Sequence, residues 1–532
     1  MMSKDDVSVS STMDPVELQV FRHLLTSIPE EMGIRLKESS FSPNIKERLD
    51  FSCALTGPDG RMVAQASHIP VHLGSTHITA RLLLSEMDLS PGDVVLLNDP
   101  WRGGTHLPDI TAFAPVFLEG EEKPSFGALV RAHHADVGGA SPGSMGDARD
   151  VFGEGLVIPP VRLVRQGQWD QDLLQMVLAN TRTPEERRGD LLAQVAAAVY
   201  GCTRVQELGA LHGRLRLVVA AAALESHART ATEAWLLSLP EGVGHSEVVM
   251  DLPGLPKICV NLRKTGPRLH IDFVGTSGAL DAPFNANEAI TLSCVFYVIR
   301  LLLSDDLPTN SGCLSPLNVE IPRGCFLNAE RPAPVAGGNV ETSQAVVEAL
   351  LLAFAQLLRA GIPAASQGTM NNVTVGGRRT TGEPWTFYET LGGGVGAGPG
   401  GPGASGLHSH MTNTMNTPVE ALENAFPVRI TAYHLRSGSG GPGQFSGGEG
   451  VVREYEFLEP AQVTVLAGRR GSEPPGALGG LPGKPGKDTL FADGAVIPIL
   501  GAETRAVGPS DRLRVETPGG GGYGAPLTDN LR

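Results

Sequence analysis

A chain of 532 residues is longer than one ordinary hydrophobic core needs, so several lobes are expected, and 41% hydrophobic residues are enough to bury them. The formal net charge of -15 excludes a nucleic-acid footprint, which needs clustered Lys and Arg to neutralise phosphates. The six cysteines (Cys53, Cys202, Cys259, Cys294, Cys313 and Cys325) contain no CxxC pair, as reduced structural thiols would not, and Met1 to Asp14 lacks the apolar core of a signal sequence.

In chain order, Asp14 is placed to cap a helix with Pro15 at its first position. Val20, Phe21, Leu24, Leu25 and Ile28 form the apolar stripe, and Pro29 is a potential bend before periodicity resumes towards Glu38. Phe51 to Leu55 and Arg61 to Ala66 flank Gly57-Pro-Asp-Gly60, a hairpin signal that puts Asp50 at the start of a strand. Three histidines follow, His68, His72 and His77, and then a helix to Glu86. Asp93 to Leu97 and Phe126 to Ala132 read as buried strands, each running straight into a polar loop. If these strands pair, their loops lie side by side.

Gln171 to Leu237 is helical in pattern, with Pro184 and Gly201 as interruptions. From Val243 the pattern alternates as in strands, followed by helices at about 286–304 and 343–359. Beyond residue 366 glycine dominates and strands are expected near Val373, Trp385 to Tyr388, Val451 to Phe457 and Val463 to Leu466. The expected class is mixed α/β (α+β) and multi-lobed: an α/β metal-binding lobe (14–165), a helical segment (166–240), an α/β lobe (241–365) and a glycine-rich, mainly β lobe (366–525). No apolar run is expected to reach membrane-spanning length, so a cytoplasmic protein without a membrane partner is expected.

The two strand-borne loops carry the chemistry. Each offers a His and, within three residues, an Asp: His106 with Asp109, and His133 or His134 with Asp136. Such a mixed nitrogen and oxygen set holds zinc, manganese or iron with open positions, and the competing account is an Asp-His hydrogen bond in a polar loop. In extended backbone His133 and His134 point to opposite faces, so one ligand and one bystander are expected. Asp136 is open to three roles: ligand to a second metal, partner orienting an imidazole, or turn residue before Gly138. Arg102 and Arg131 can hold an anion or pair with carboxylates. His408 to Pro418 concentrates imidazole and amide groups able to orient a carbonyl. The glycine runs 392–403 and 438–443 lack the Gly-Lys-Ser/Thr of a Walker loop, so the chain is not expected to bind ATP alone.

Taken together, Asn98 to Thr111 (NDPWRGGTHLPDIT), Arg131 to Ser144 (RAHHADVGGASPGS), Asn180 to Leu191 (NTRTPEERRGDL), Gly337 to Gln344 (GGNVETSQ), Gly368 to Asn372 (GTMNN) and His408 to Glu423 resemble the hydantoinase B family. That family is the B half of ATP-dependent hydantoinases and 5-oxoprolinases, and the likeness runs from about Asp14 to the glycine-rich tail at Gly524. It implies a hetero-oligomer. A hydantoinase A-type subunit with an actin-like fold binds ATP and phosphorylates an amide or ketone oxygen, and this chain performs the following metal-dependent step. It implies one divalent ion (Mn, Zn or Fe) held by His106 and Asp109, by His133 as first histidine of AHHAD, and by Asp50 of ERLDFS. Asp136, His134 and His408 are then expected on the substrate side. The implied activity is opening of a hydantoin, 5-oxoproline or lactam ring. Two alternatives are a subunit of an acetone or acetophenone carboxylase and a non-catalytic scaffold for the ATPase.

Overall fold

The computed structural model of the chain describes residues 13–304, 306–358 and 361–526. Helix α1 (Pro15–Ser39) begins with Pro at its first position, where a missing N–H costs nothing, but the Asp14 side chain makes no capping bond. The helix also runs on through Pro29. Phe21, Leu25, Ile28, Met32 and Leu36 are all buried, and packing of that stripe outweighs the lost hydrogen bond.

After a short α2 (Pro43–Lys46) comes a seven-stranded sheet built from β1 (Phe51–Thr56), β2 (Met62–Gln65), β3 (Val94–Leu97), β4 (Asp109–Val116), β5 (Phe126–His133), β6 (Val161–Arg165) and β7 (Gln168–Trp169). The order is β2-β1-β5-β4-β3-β6-β7, antiparallel at every step. Strand β4 is the unexpected element: Asp109 ends a polar loop in sequence but opens a strand in space. It separates β3 from β5, so those two do not pair. Each is antiparallel to β4, so both run the same way and deliver their loops to one edge.

Alternate residues of this sheet face different cores. Val94, Leu96, Val130 and Ala132 join α1, α6 (Pro184–His212) and α7 (Arg214–Ser238), whereas Val95, Leu97, Phe113 and Leu129 join Ala80 and Leu83 of α3 (Ser75–Glu86). The helices α4 (Val151–Glu154) and α5 (Gln171–Ala179) precede α6. The residues of α5, α6 and much of α7 share the core of the sheet. Gly201 does not interrupt α6; the break is at Gly213, with φ +87°. A Cβ on Gly201 would lie 2.5 Å from Met32 Sδ, so glycine there permits close packing of α6 on α1.

A four-stranded sheet follows, ordered β11-β10-β9-β8, from β8 (Gly242–Val249), β9 (Lys257–Thr265), β10 (Arg268–Asp272) and β11 (Leu317–Glu320). It shares a core with α8 (Glu288–Leu302) and α9 (Glu341–Leu358). The expected end of the second helix at Arg359 lies outside the described residues. One stretch, Ala336–Leu358, is long and apolar enough to cross a membrane by length and composition, against expectation. It is 72% buried inside the protein, which makes it a core helix.

The remainder consists of β12 (Asn372–Arg378), β13 (Pro384–Glu389), α10 (Val419–Ala425), β14 (Val428–Arg436), β15 (Gly450–Phe457), β16 (Ala461–Leu466), β17 (Lys487–Ala492), β18 (Ala495–Ile499), β19 (Ala502–Val507) and β20 (Arg512–Glu516). They form two sheets, β13-β12-β16-β19 and β14-β15-β20-β17-β18, around a common core. The glycine runs stack backbone on backbone beside them. Gly448 donates to Val395 O, Gly520 to Gly448 O and Gly441 to Gly520 O at 2.8–2.9 Å. A Cβ on Gly448 would sit 1.8 Å from Ala404 O, which no other residue type tolerates. All six cysteines are free.

Candidate metal centre

Strand register assembles the centre. Asp109 is the direct cross-strand partner of His133, and the His133 N–H donates to Asp50 O at 3.0 Å. Asp50, His133 and Asp109 therefore form one row across β1, β5 and β4, on the face that also carries Ser52, Arg131 and Thr111. His106 arrives from the loop between β3 and β4. That loop is pinned by the Asn287 amide at the start of α8, which donates to the carbonyls of Pro100, Gly104 and Thr105 at 2.7–3.0 Å. Asn98 fastens its other limb, donating to Leu107 O at 2.8 Å.

The Asp109 carboxylate is used asymmetrically. Its Oδ2 accepts from Thr105 Oγ1 (2.7 Å), Asn339 Nδ2 (2.7 Å) and His72 Nε2 (3.1 Å), while Oδ1 faces only His106 Nε2 at 3.3 Å. The His106 Nδ1 lies 3.0 Å from Ala336 O, which puts a proton on Nδ1 and leaves the Nε2 lone pair free. Both His106 Nε2 and His133 Nε2 are buried without a hydrogen-bond partner. Ligand atoms of His106, Asp109 and His133 all fall within 4.8 Å of one another, around a cavity of about 20 Å³ that Asp50 also lines. Buried polar atoms are almost always paired, so unpaired imidazole nitrogens converging with a free carboxylate oxygen are the arrangement a cation completes.

Electrostatics agree. Burial alone would raise the Asp109 carboxyl, but the His106 and His72 rings outweigh it and hold it well below the usual range. Burial would lower His106, but the Asp109 carboxylate outweighs it and raises it, so the position favours positive charge, which a cation on Nε2 would supply. Burial together with that neighbour keeps His133 well below the ordinary histidine value, hence neutral and able to bind a metal. Asp50 is raised by burial, opposed by Arg48 with Nη1 at 3.5 Å from Oδ2. His133 Nδ1 lies 3.1 Å from Asn44 Nδ2, and a metal on Nε2 requires that amide turned with its oxygen to the ring.

The remaining sequence candidates lie elsewhere. His134 is on the opposite face, with Nε2 3.1 Å from Gln194 Oε1 of α6. Asp136 is fully buried in an ion pair with Arg182 at 2.7 Å and also accepts from the N–H groups of Gly138 and Gly143, so neither it nor His134 lines the cavity. His408 approaches only through Thr390, which does line it, at 3.4 Å. Arg131 is spent on Ser75, Thr79, Thr111 and Gly103 O, and Arg102 on Glu86 at the surface.

Sequence reasoning missed Tyr388, stacked on His133 at 4.6 Å between ring centres, and the supports Asn44 and Asn339. It named His72 only as one of three histidines ahead of a helix. No spacing connects these residues. The one available signal is that Asn339 falls within the Gly337 to Gln344 motif.

Glu154 supports the centre from behind. Its Oε1 accepts from Ala336 N–H at 2.8 Å while Oε2 is buried unpaired, as a protonated carboxyl would be. Burial pushes this group up to about 8, so the stability of the neutral form is complete below the ordinary value near 4.5 and lost as pH rises through 8. Between those values wild-type stability falls by about 1.4 kcal/mol per pH unit at most. Glu154→Gln keeps the acceptor and removes the titration, so its urea midpoint, read by pulse proteolysis from pH 5 to 8, stays flatter than the wild type. Equal slopes refute the assignment.

The family model described as Hydantoinase B/oxoprolinase matches residues 14–526. The chain is 39% identical to 5-oxoprolinase 1 of Arabidopsis thaliana over 97% of its own length, but spans only 42% of that protein. In structure it resembles the ATP-dependent caprolactamase from Pseudomonas jessenii (TM-score 0.90, 26% identity, 98% of this chain and 93% of that one). It shares its fold with a nucleotide-free acetone carboxylase (TM-score 0.83, 18% identity, 97% and 76%). The chain thus belongs to the Hydantoinase B/oxoprolinase family.

Proposed function

We propose that this chain is the metal-dependent component of an ATP-dependent cyclic amidase, acting on a ring amide whose oxygen a hydantoinase A-type partner has phosphorylated. The observation that carries this is the convergence of the Asp109 carboxylate with His106 Nε2 and His133 Nε2, both buried without a hydrogen-bond partner, in a chain of this family. Asp50 completes the ligand set from the adjacent strand. A divalent ion (Mn, Zn or Fe) bound there supplies Lewis-acid polarisation of an oxygen and a lowered pKa for water.

The chain's own residues do the rest. Thr105, His72 and Asn339 fix the Asp109 carboxylate in one orientation. Tyr388 and Met411 wall the cavity and keep bulk water out, and the hydroxyls of Thr390 and Thr412 in the same lining are placed to orient a carbonyl oxygen. In the overall step one water adds to the activated ring carbon, the C–N bond breaks with a proton passing to nitrogen to leave an acyl phosphate, and a second water hydrolyses that to the carboxylate and free phosphate.

Co-expression with a hydantoinase A-type subunit and measurement of phosphate release over cyclic amides and ketones tests this. Release with a cyclic amide, without bicarbonate, is expected. Bicarbonate-dependent release with a ketone alone would replace the amidase with a carboxylase, and full activity of a metal-free complex would leave the chain a scaffold.

A further inference from the structure

A second, much larger cavity of about 1000 Å³ lies against the metal centre. Leu301 and Leu302 of α8, Leu351 and Ala355 of α9, Ile362 and Val395 give it an apolar wall. Its floor adjoins the centre along three segments. Gln344, Gly368 and His408 to His410 line the large cavity, while Val340, Met370, Met411 and Thr412, a few residues along the same three segments, line the small one.

That floor is short of hydrogen bonds. Gln344 Oε1, Ser409 Oγ and His408 Nδ1 are buried without partners, and Gln344 and Ser409 are only 1% and 8% exposed. The Gln344 amide nitrogen is committed to Ser409 O at 2.9 Å, which fixes its oxygen as a waiting acceptor. An acceptor beside a hydroxyl is the complement of one amide N–H and C=O. The backbone here is also held under strain, with His410 at φ +57°.

Charge narrows the ligand further. Among the described residues the formally charged side chain of the lining is Glu348, itself paired with Arg469. Burial lowers His408 to about 3 and His410 to about 4, so both are neutral. Among the described residues of the lining a ligand carboxylate would find no cation, and it would face Glu348.

We propose that this cavity binds the substrate as a neutral cyclic amide with an apolar ring, its amide against Gln344 and Ser409 beside the metal centre. This deepens the cyclic-amidase reading and rests on it for the ligand's identity as substrate. Ring methylenes lie against the leucine wall, so affinity rises with ring size. An anionic ring such as 5-oxoproline is disfavoured against 2-pyrrolidone, from which it differs by one carboxylate.

Calorimetric titration of the full chain with 2-pyrrolidone, 2-piperidone, caprolactam and 5-oxoproline tests it. The dissociation constant is expected to fall about fourfold per added methylene. 5-Oxoproline should bind at least about tenfold more weakly than 2-pyrrolidone, since a carboxylate buried without a cation is costly. Ala355→Trp fills the cavity and should weaken caprolactam at least about tenfold, and Ser409→Ala about fivefold, with bound metal unchanged in both. Should Ala355→Trp fail to fold, the near-isosteric Ser409→Ala carries the test. No heat with any lactam, an affinity flat with ring size, or 5-oxoproline binding as tightly as 2-pyrrolidone overturns the proposal. Lactam binding with these sensitivities but no ATP-coupled opening of any ring upholds the cavity and sinks the amidase. Wild-type opening of 5-oxoproline by Ala355→Trp keeps the amidase and sinks the cavity.

Discussion

Asp109→Asn is expected to strip the chain of its metal and to lower ATP-coupled turnover by at least about 10³-fold, the loss that several kcal/mol of metal-derived stabilisation implies. The wild-type carboxylate gives Oδ2 to Thr105, Asn339 and His72 and keeps Oδ1 for the centre. An amide cannot serve both sides. With its oxygen towards the three donors, its NH₂ points at His106 and the ion; reversed, the NH₂ collides with three donors. Metal analysis and phosphate release with the partner subunit measure the effect. A second readout needs no metal: burial of His106 is then less opposed, so its pKa, followed by NMR in the metal-free protein, moves down from its raised position. His134→Gln, on the other face of the sheet, should leave metal content unchanged. Full metal loading and full turnover in Asp109→Asn would end the case for this centre.

How far the centre was legible follows from its geometry. The pairing of His106 with Asp109 is local, so spacing alone exposed it. The divergence of His133 and His134 is a property of extended backbone and was equally open to inspection. The row of Asp50, His133 and Asp109 is different, because it exists only through the register of β1, β5 and β4, and β4 was not recognised as a strand. Asp50 accordingly entered only through family resemblance. Asp136 illustrates the converse. Its spacing left ligand, orienting and turn roles open, and only the fold brings Arg182, 46 positions away, onto its carboxylate. The interruption expected at Gly201 failed for a related reason: glycine is a local breaker, and the packing of α6 on α1 overrides it, whereas α1 runs through Pro29 to Ser39, next to the expected Glu38. Tyr388, the wall of the centre, lies on a strand that the sequence pattern exposed, but nothing in that pattern ties the strand to His133.

A fully buried ion pair ties the two C-terminal sheets together, and its removal should be among the costliest single changes to stability. Arg453 on β15 and Glu389 on β13 are both 0% exposed, with Nε 2.8 Å from Oε1, and they join the two C-terminal sheets immediately beside Tyr388. The contact is ionic more than directional, since Nε is not aligned for a hydrogen bond. Burial disfavours the guanidinium charge, but Glu389 outweighs it and raises the Arg453 pKa. Tyr455 and Asn416 also donate to Glu389, and the Arg453 guanidinium lies 4.5 Å over the Tyr433 ring. Arg453→Met leaves a carboxylate buried without its counter-charge, at a cost of about 3–5 kcal/mol. Arg453→Met with Glu389→Gln removes the stranded charge and should recover much of the loss, because a buried pair replaced on both sides is far less damaging than one broken. Urea midpoints of the two single variants and the double, read by pulse proteolysis at pH 5 and 8, decide it. A double variant no more stable than Arg453→Met would show that packing, and not the uncompensated charge, carries the cost.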